Sequence, residues 1–268
     1  MERRSDTVRP PSVALLAREV VAFAELGAFF ATVPWWPIAP RGDRCPVLVL
    51  PGLIQSDFST RPLRSFLSNR GHIACAWGLG TNSGSTRLVD NHLVRRLHAL
   101  CDEHGRKVSI VGWSMGGLFA RNLARRAPDA VRQVITLGSP FTGNPRASNA
   151  WRLYEAMSGE RADDPKIAAR FRGALPVPAT SIYSRRDGIV AWQCCLNEAG
   201  PQAENIEVIS SHCGLGHHPV VLYAVADRLA QPDGHWRPFV PPGIARWMYP
   251  ARNADSSSRA VARGRVRA

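Results

Sequence analysis

Lysine is almost missing from this chain. Only Lys107 and Lys166 stand among 34 basic residues, so arginine carries nearly all of the formal +13 charge. GC-rich codon use produces that skew. The arginines are scattered, and no basic helix is interleaved with aromatics. Diffuse charge of this kind does not build a nucleic-acid surface, and no nucleic-acid partner is expected. The six cysteines (Cys45, Cys75, Cys101, Cys194, Cys195 and Cys213) form no CxxC pair and no zinc spacing. No metal site is therefore expected. Cys75 and Cys101 lie in apolar stretches and read as core residues. Cys194 or Cys195 could bridge to Cys213 only in an oxidising compartment. A long uncharged apolar run is also lacking. Ser12 to Val33 is apolar, but Arg18, Glu19 and Glu25 interrupt it, which excludes a membrane span. No small-residue cleavage pattern follows it, so a secretory leader is not expected. These absences point to a cytoplasmic protein, with association at a membrane surface as the alternative.

What is present is enough apolar sequence for a large core: 45% hydrophobic and 8% aromatic over 268 residues. Three regions are expected. Residues 1–40 hold a polar start, an amphipathic helix and a Pro/Trp connector. The helix carries Leu16, Val20, Phe23, Gly27 and Phe30 at helical spacing, a stripe expected to pack on the domain or, alternatively, to rest on a lipid surface. Residues 41–235 form the main domain, and 236–268 a C-terminal extension with a disordered basic tail from Asn253.

Within the main domain short apolar runs alternate with helical periods. Strands are expected at Pro46–Leu50, His72–Trp77, Val108–Trp113, Val131–Leu137, Ala179–Tyr183 and Ile206–Ser210. Helices are expected at Thr60–Arg70, Thr86–His104, Gly117–Ala127 and Pro219–Leu229. Between Ser139 and Gly173 the period is helical with no strand partner, which marks a cap insertion at about 141–175. The alternation gives an α/β fold: a mostly parallel sheet with helices on both faces. Right-handed crossovers then gather every strand's carboxyl end, and the loops that follow, on one edge.

The chemistry centres on Gly112-Trp113-Ser114-Met115-Gly116. A GxSxG pentapeptide alone is weak, but this one ends a strand and opens a helix. Gly112 and Gly116 lack a Cβ, so strand and helix can approach closely. The helix N-terminus then favours negative charge at the site. A serine hydroxyl needs a base. His212 follows the last strand on the same edge; His217 and His218 are rivals that fall at the start of the closing helix. The base needs a carboxylate, and Asp187 follows the strand ATSIY in the turn SRRDGIV. Glu198 and Glu204 are weaker alternatives. Backbone N–H groups of Met115 and of Leu53, in the turn Pro51-Gly52-Leu53-Ile54, could form an oxyanion hole. Trp113 and Ile54 are expected to help line an oily substrate pocket.

The segments PVLVLPGL, GWSMGG, VITLGSPFTG, YSRRDGIV and SHCGLGHHPVV, in that order, resemble the α/β-hydrolase superfamily, and within it the lipase- and esterase-like members. The resemblance covers about Val47 to Leu229. It implies an eight-stranded, mostly parallel sheet with the strand through Val47 as its third. It implies an ester hydrolase working through an acyl-enzyme on Ser114, with no cofactor or metal and a small-molecule acyl ester or lipid as partner. One departure matters: Pro51-Gly52 stands where many relatives have His-Gly. The segment LGSPFTG with the apolar insertion after it resembles bacterial lipases more than dehalogenases, which need an aspartate where Ser114 stands. An acyltransferase would use the same residues, and a non-catalytic binding protein could keep the fold. Oligomeric state is not legible.

Overall fold

The computed structural model describes residues 8–250. Six strands form one sheet: β1 Pro46–Leu50, β2 Ile73–Ala76, β3 Val108–Trp113, β4 Val131–Leu137, β5 Ala179–Tyr183 and β6 Ala203–Glu207. Their order is β2-β1-β3-β4-β5-β6 and every pairing is parallel. The resemblance implies eight strands; the described residues hold six, and none of these six precedes β1. Helical chain stands there instead.

The strands are short Val, Leu and Ile runs because both faces of the sheet are covered. In β1, Val47 and Val49 face one core layer, and Leu48 and Leu50 face the other. The first layer is closed by α3 (Arg61–Asn69) and α8 (Pro219–Leu229), the second by α4 (Thr86–His104) and α5 (Met115–Arg126). The chain steps outward from β1 to β2, then crosses back to β3 on the other side of β1. That reversal opens a crevice between the loops after β1 and β3, where ligands bind in open α/β sheets.

β6 begins three residues earlier than the expected Ile206. Its first residues are polar and belong to an edge strand, so hydropathy does not mark them. Glu204 there bonds Thr180 Oγ1, the Phe239 amide and the Arg228 guanidinium, all buried. The C-terminal extension is better anchored than its composition suggests. Phe239 and Tyr249 are core residues, and the Tyr249 hydroxyl donates to the Val220 carbonyl at 2.8 Å. The tail expected to be disordered from Asn253 lies outside the described residues.

The N-terminal segment differs most from expectation. It is two helices, α1 (Val13–Ala17) and α2 (Ala22–Ala31), joined by a tightened 3-10 turn over Arg18–Val21. The stripe expected to pack inward points outward: Val20 is 64% exposed, Phe23 76% and Phe30 63%. The inward side carries Glu19, Glu25 and Phe29. Phe29 meets Trp36, which meets Phe66 of α3, at ring separations of 5.2 and 5.4 Å. Helical spacing found the outer stripe because it is the more apolar one. The acids face inward because backbone amides await them there. Val8, in the polar start, packs near Ala147, Ala191 and Cys194.

One buried histidine stores pH sensitivity. His72 is 5% exposed and neither ring nitrogen has a partner among the described residues. Burial pushes its pKa down to about 4, against a smaller pull from Asp43. Its folded pKa lies below the unfolded value, so the unfolded chain binds the proton better. Stability is therefore complete above about pH 6.5 and falls as pH drops towards 4. The expected loss from this residue is about 3 kcal/mol by pH 4. Denaturant unfolding of His72→Leu at pH 7 and pH 4 should show that much less acid destabilisation. An unchanged pH dependence refutes it.

Candidate active site

Ser114 is the residue between β3 and α5. It holds φ 52° and ψ −118°, a strained conformation for a residue with a Cβ. Its amide donates to the Leu137 carbonyl at the end of β4, which fixes the turn at 2.8 Å. A Cβ on Gly112 would strike the Gly116 carbonyl, and one on Gly116 would strike the Leu50 carbonyl. The two glycines let strand, turn and helix close on one another.

Asp187 sits in the turn after β5, 3% exposed. Its Oδ1 accepts from the amides of Ile189 and Val190 at 2.8 and 2.7 Å. Its Oδ2 lies 2.6 Å from His212 Nδ1. His212 is in the loop after β6 and is 5% exposed. Its carbonyl accepts from the Trp113 indole at 3.1 Å, which draws the histidine loop against the serine turn. Gly138, at the end of β4, lies under the pair: a Cβ there would stand 3.1 Å from His212 Nδ1 and 3.2 Å from Asp187 Oδ2. Burial disfavours the imidazolium, but Asp187 and then Glu19 outweigh it, so His212 titrates above the ordinary histidine value.

The rivals are placed elsewhere. His218 caps α8 by accepting from the Val220 amide, and His217 bonds the Ala22 carbonyl. Glu204 is held by Arg228. All six cysteines are free thiols, so the bridge considered between Cys194 or Cys195 and Cys213 does not form. Among the described residues no cluster of His, Cys, Asp or Glu could hold a metal ion.

A cleft of about 760 Å³, mouth included, opens beside Ser114. Leu53, Met115, Leu118, Phe141, Tyr154 and Phe171 give it an apolar wall. Trp113 and Ile54, expected in the pocket, do not line it. Trp113 is turned into the core behind the serine, where its N–H finds the His212 carbonyl. Ile54 is 52% exposed with φ 57°.

The cap insertion holds α6 (Trp151–Ser158) and α7 (Pro165–Ala169). Tyr154 of α6 donates to Glu160, and Glu160 accepts from the amide and hydroxyl of Thr86. The insertion thus caps the otherwise uncapped start of α4 and fixes the roof of the cleft.

Four residues around the site carry no sequence signal. Gln55 Oε1 accepts from the Gly52 amide at 3.0 Å. Asn82, fully buried, donates to the Pro51 carbonyl and its own carbonyl accepts from Ile54. Together they hold the loop after β1. Glu19 and Glu25 hold the loops after β5 and β6 from behind. Asn82, Glu19 and Glu25 act across long sequence separations, which no local pattern encodes, and Gln55 reaches back three residues inside a turn that has no regular period.

A parallel sheet with a strained serine turn at its switch point defines the class of the molecule. Residues 47–265 match the alpha/beta hydrolase family, and the chain belongs to that family. Solved structures of similar fold include lipase B of Aspergillus fumigatus (TM-score 0.57, 16% identity, covering 71% of this chain and 53% of that one). Others are the mature lipase BlEst2 of Bacillus licheniformis (0.52, 15%, 72% and 94%) and a monoacylglycerol lipase of Paleococcus ferrophilus (0.51, 13%, 70% and 96%). The chain spans about half the length of the Aspergillus lipase. The likeness at these identities is one of fold.

Proposed function

We propose that the chain hydrolyses carboxylic esters with an apolar acyl group, through an acyl-enzyme on Ser114. The observation that carries this reading is the buried Asp187–His212 contact of 2.6 Å beside the strained serine turn. Asp187 holds the proton on Nδ1, leaving the Nε2 lone pair to take the Ser114 proton. The Ser114 oxygen attacks the ester carbonyl, and the N–H groups of Met115 and Leu53 receive the developing oxyanion. His212 returns the proton to the leaving alcohol. Water, deprotonated by the same imidazole, then releases the acid and frees the serine. The apolar cleft favours an acyl chain over a charged substrate.

A panel of p-nitrophenyl esters from acetyl to palmitoyl, with fluorophosphonate labelling of Ser114, tests the reading. Labelling and turnover are expected. A folded protein with neither overturns it. Added alcohol reports acyl transfer as an ester product instead of free acid.

The outward face of the N-terminal segment suggests where such esters are met. Val20, Phe23, Phe30, Trp35 and Ile38 are exposed there, and Arg18 is the one charged residue facing out on α1, the turn and α2. No helix among the described residues is long and apolar enough to cross a membrane. With the +13 net charge, the face fits an anionic lipid surface. Replacing Val20, Phe23 and Trp35 together by serine should weaken binding to phosphatidylglycerol vesicles by about tenfold or more. Soluble-ester turnover should not change. Unchanged vesicle binding, or a face found buried in a dimer by sedimentation, refutes the lipid assignment.

A further inference from the structure

The two acids of the N-terminal segment grip the loops that carry Asp187 and His212. Glu19 Oε1 accepts from the amide of Gly188, next to Asp187, at 2.8 Å. The same oxygen accepts from the amide of His212 itself at 2.9 Å. Oε2 accepts from the Cys213 amide at 2.9 Å. One carboxylate therefore joins both loops at the residues that set the acid–base contact. Six residues on, Glu25 Oε1 accepts from the Ser211 amide at 2.9 Å, and its Oε2 takes the Ser211 hydroxyl. Ser211 Oγ accepts in turn from the Gly214 amide. The seats for the segment are built in. A Cβ on Gly188 would strike the Leu15 carbonyl, and one on Gly214 would strike the Glu25 carboxylate.

We propose that Glu19 is a positioning residue for the Asp187–His212 pair, so that the N-terminal segment sets the competence of the site. The proposal rests on the serine-hydrolase reading above. The physical reason is reach. Asp187 and His212 stand on separate loops after separate strands, and their contact needs the two loops locked together. Charge-assisted hydrogen bonds to backbone amides are among the stronger and more directional contacts available. Glu19 makes three, and its negative charge also faces the imidazole. The other acid acting on the His212 ring is Asp187 on the β5 loop, while Glu25 on α2 is engaged by the adjacent Ser211. Burial and Glu19 push the neighbouring Cys213 thiol up to about 12, so it stays neutral. Burial lowers His217, which bonds the Ala22 carbonyl.

The test uses the full chain with Glu19→Gln, and with Glu19→Asp as a milder second variant should the first not fold. The glutamine keeps the size but sets an NH2 group against an amide N–H and removes the charge. Turnover is normalised to sites titrated by fluorophosphonate, and the His212 pKa is read separately by NMR of labelled imidazoles. Glu19→Gln is expected to lower kcat per site by about 10- to 100-fold with KM within about threefold, in the range of other lost hydrogen-bonded orienting groups. The His212 pKa and the acid limb of kcat/KM should fall to lower pH together. Glu19→Asp should lower kcat less and leave His212 nearer its original pKa. A residue serving only to hold the fold would lower melting temperature and the titratable fraction, with kcat per site and the His212 pKa unmoved. That result overturns the proposal. Should the wild type neither label nor turn over ester, the serine-hydrolase reading fails by itself. The NMR titration still decides whether Glu19 acts on His212.

Discussion

Ser114→Ala is expected to lower kcat/KM for p-nitrophenyl esters by on the order of 10⁶-fold, as loss of a nucleophile does elsewhere. That corresponds to about 8 kcal/mol of transition-state stabilisation. The neighbouring Ser139 cannot replace it, being fully buried and directed back to the Leu137 carbonyl. The variant should fold. Alanine keeps the Cβ, so the φ of 52° is no more strained than before, and the amide still donates to Leu137. A melting temperature close to wild type, no fluorophosphonate label and no burst of p-nitrophenol are the expected set. Retained turnover above about one hundredth of wild type would remove Ser114 from the mechanism.

Asp187→Asn should cost about 10⁴-fold in kcat, through the tautomer of His212. The amide oxygen can still accept from the Ile189 and Val190 amides, so the turn keeps its shape. The amide NH2 then faces His212 Nδ1, which must offer a lone pair. The imidazole proton moves to Nε2, and the atom that should accept from Ser114 becomes a donor. The lost carboxylate also removes the larger of the two attractions that raise the His212 pKa. Measured from pH 5 to 9, activity of the variant should stay low throughout, and the His212 titration should move to lower pH. A loss below about tenfold would show that another group orients His212.

Both predictions concern residues that were legible in sequence. Ser114 could be found because a GxSxG between a strand and a helix is local. Asp187 and His212 could be found because each follows a strand, and parallel topology brings strand ends to one edge. The apolar runs of β1, β3, β4 and β5 marked their strands because sheets covered on both faces need continuous apolar sequence. β6 was misplaced because an edge strand can be polar, and the Glu204–Arg228 contact that makes it so spans two elements.

The N-terminal segment shows the limit most clearly. Its composition announced a helix with one apolar stripe, and the stripe was real. Which side met the domain was not a local property. Leu16, Val20, Phe23 and Phe30 would have gained by burial, yet they face out, because Glu19 and Glu25 meet five N–H and O–H donors on the other side.

The sequence by itself determined the strand and helix order, the parallel sheet, the serine turn and the loops that bear Asp187 and His212. Periodicity, glycine placement and right-handed crossovers are read within a few tens of residues. Only the tertiary structure decided the 2.6 Å contact of Asp187 with His212, the apolar roof supplied by Tyr154 and Phe171, and the grip of Glu19 on both loops. Each joins groups far apart in the chain, and a hydrogen bond or a packed wall depends on ångström distances that local patterns do not carry.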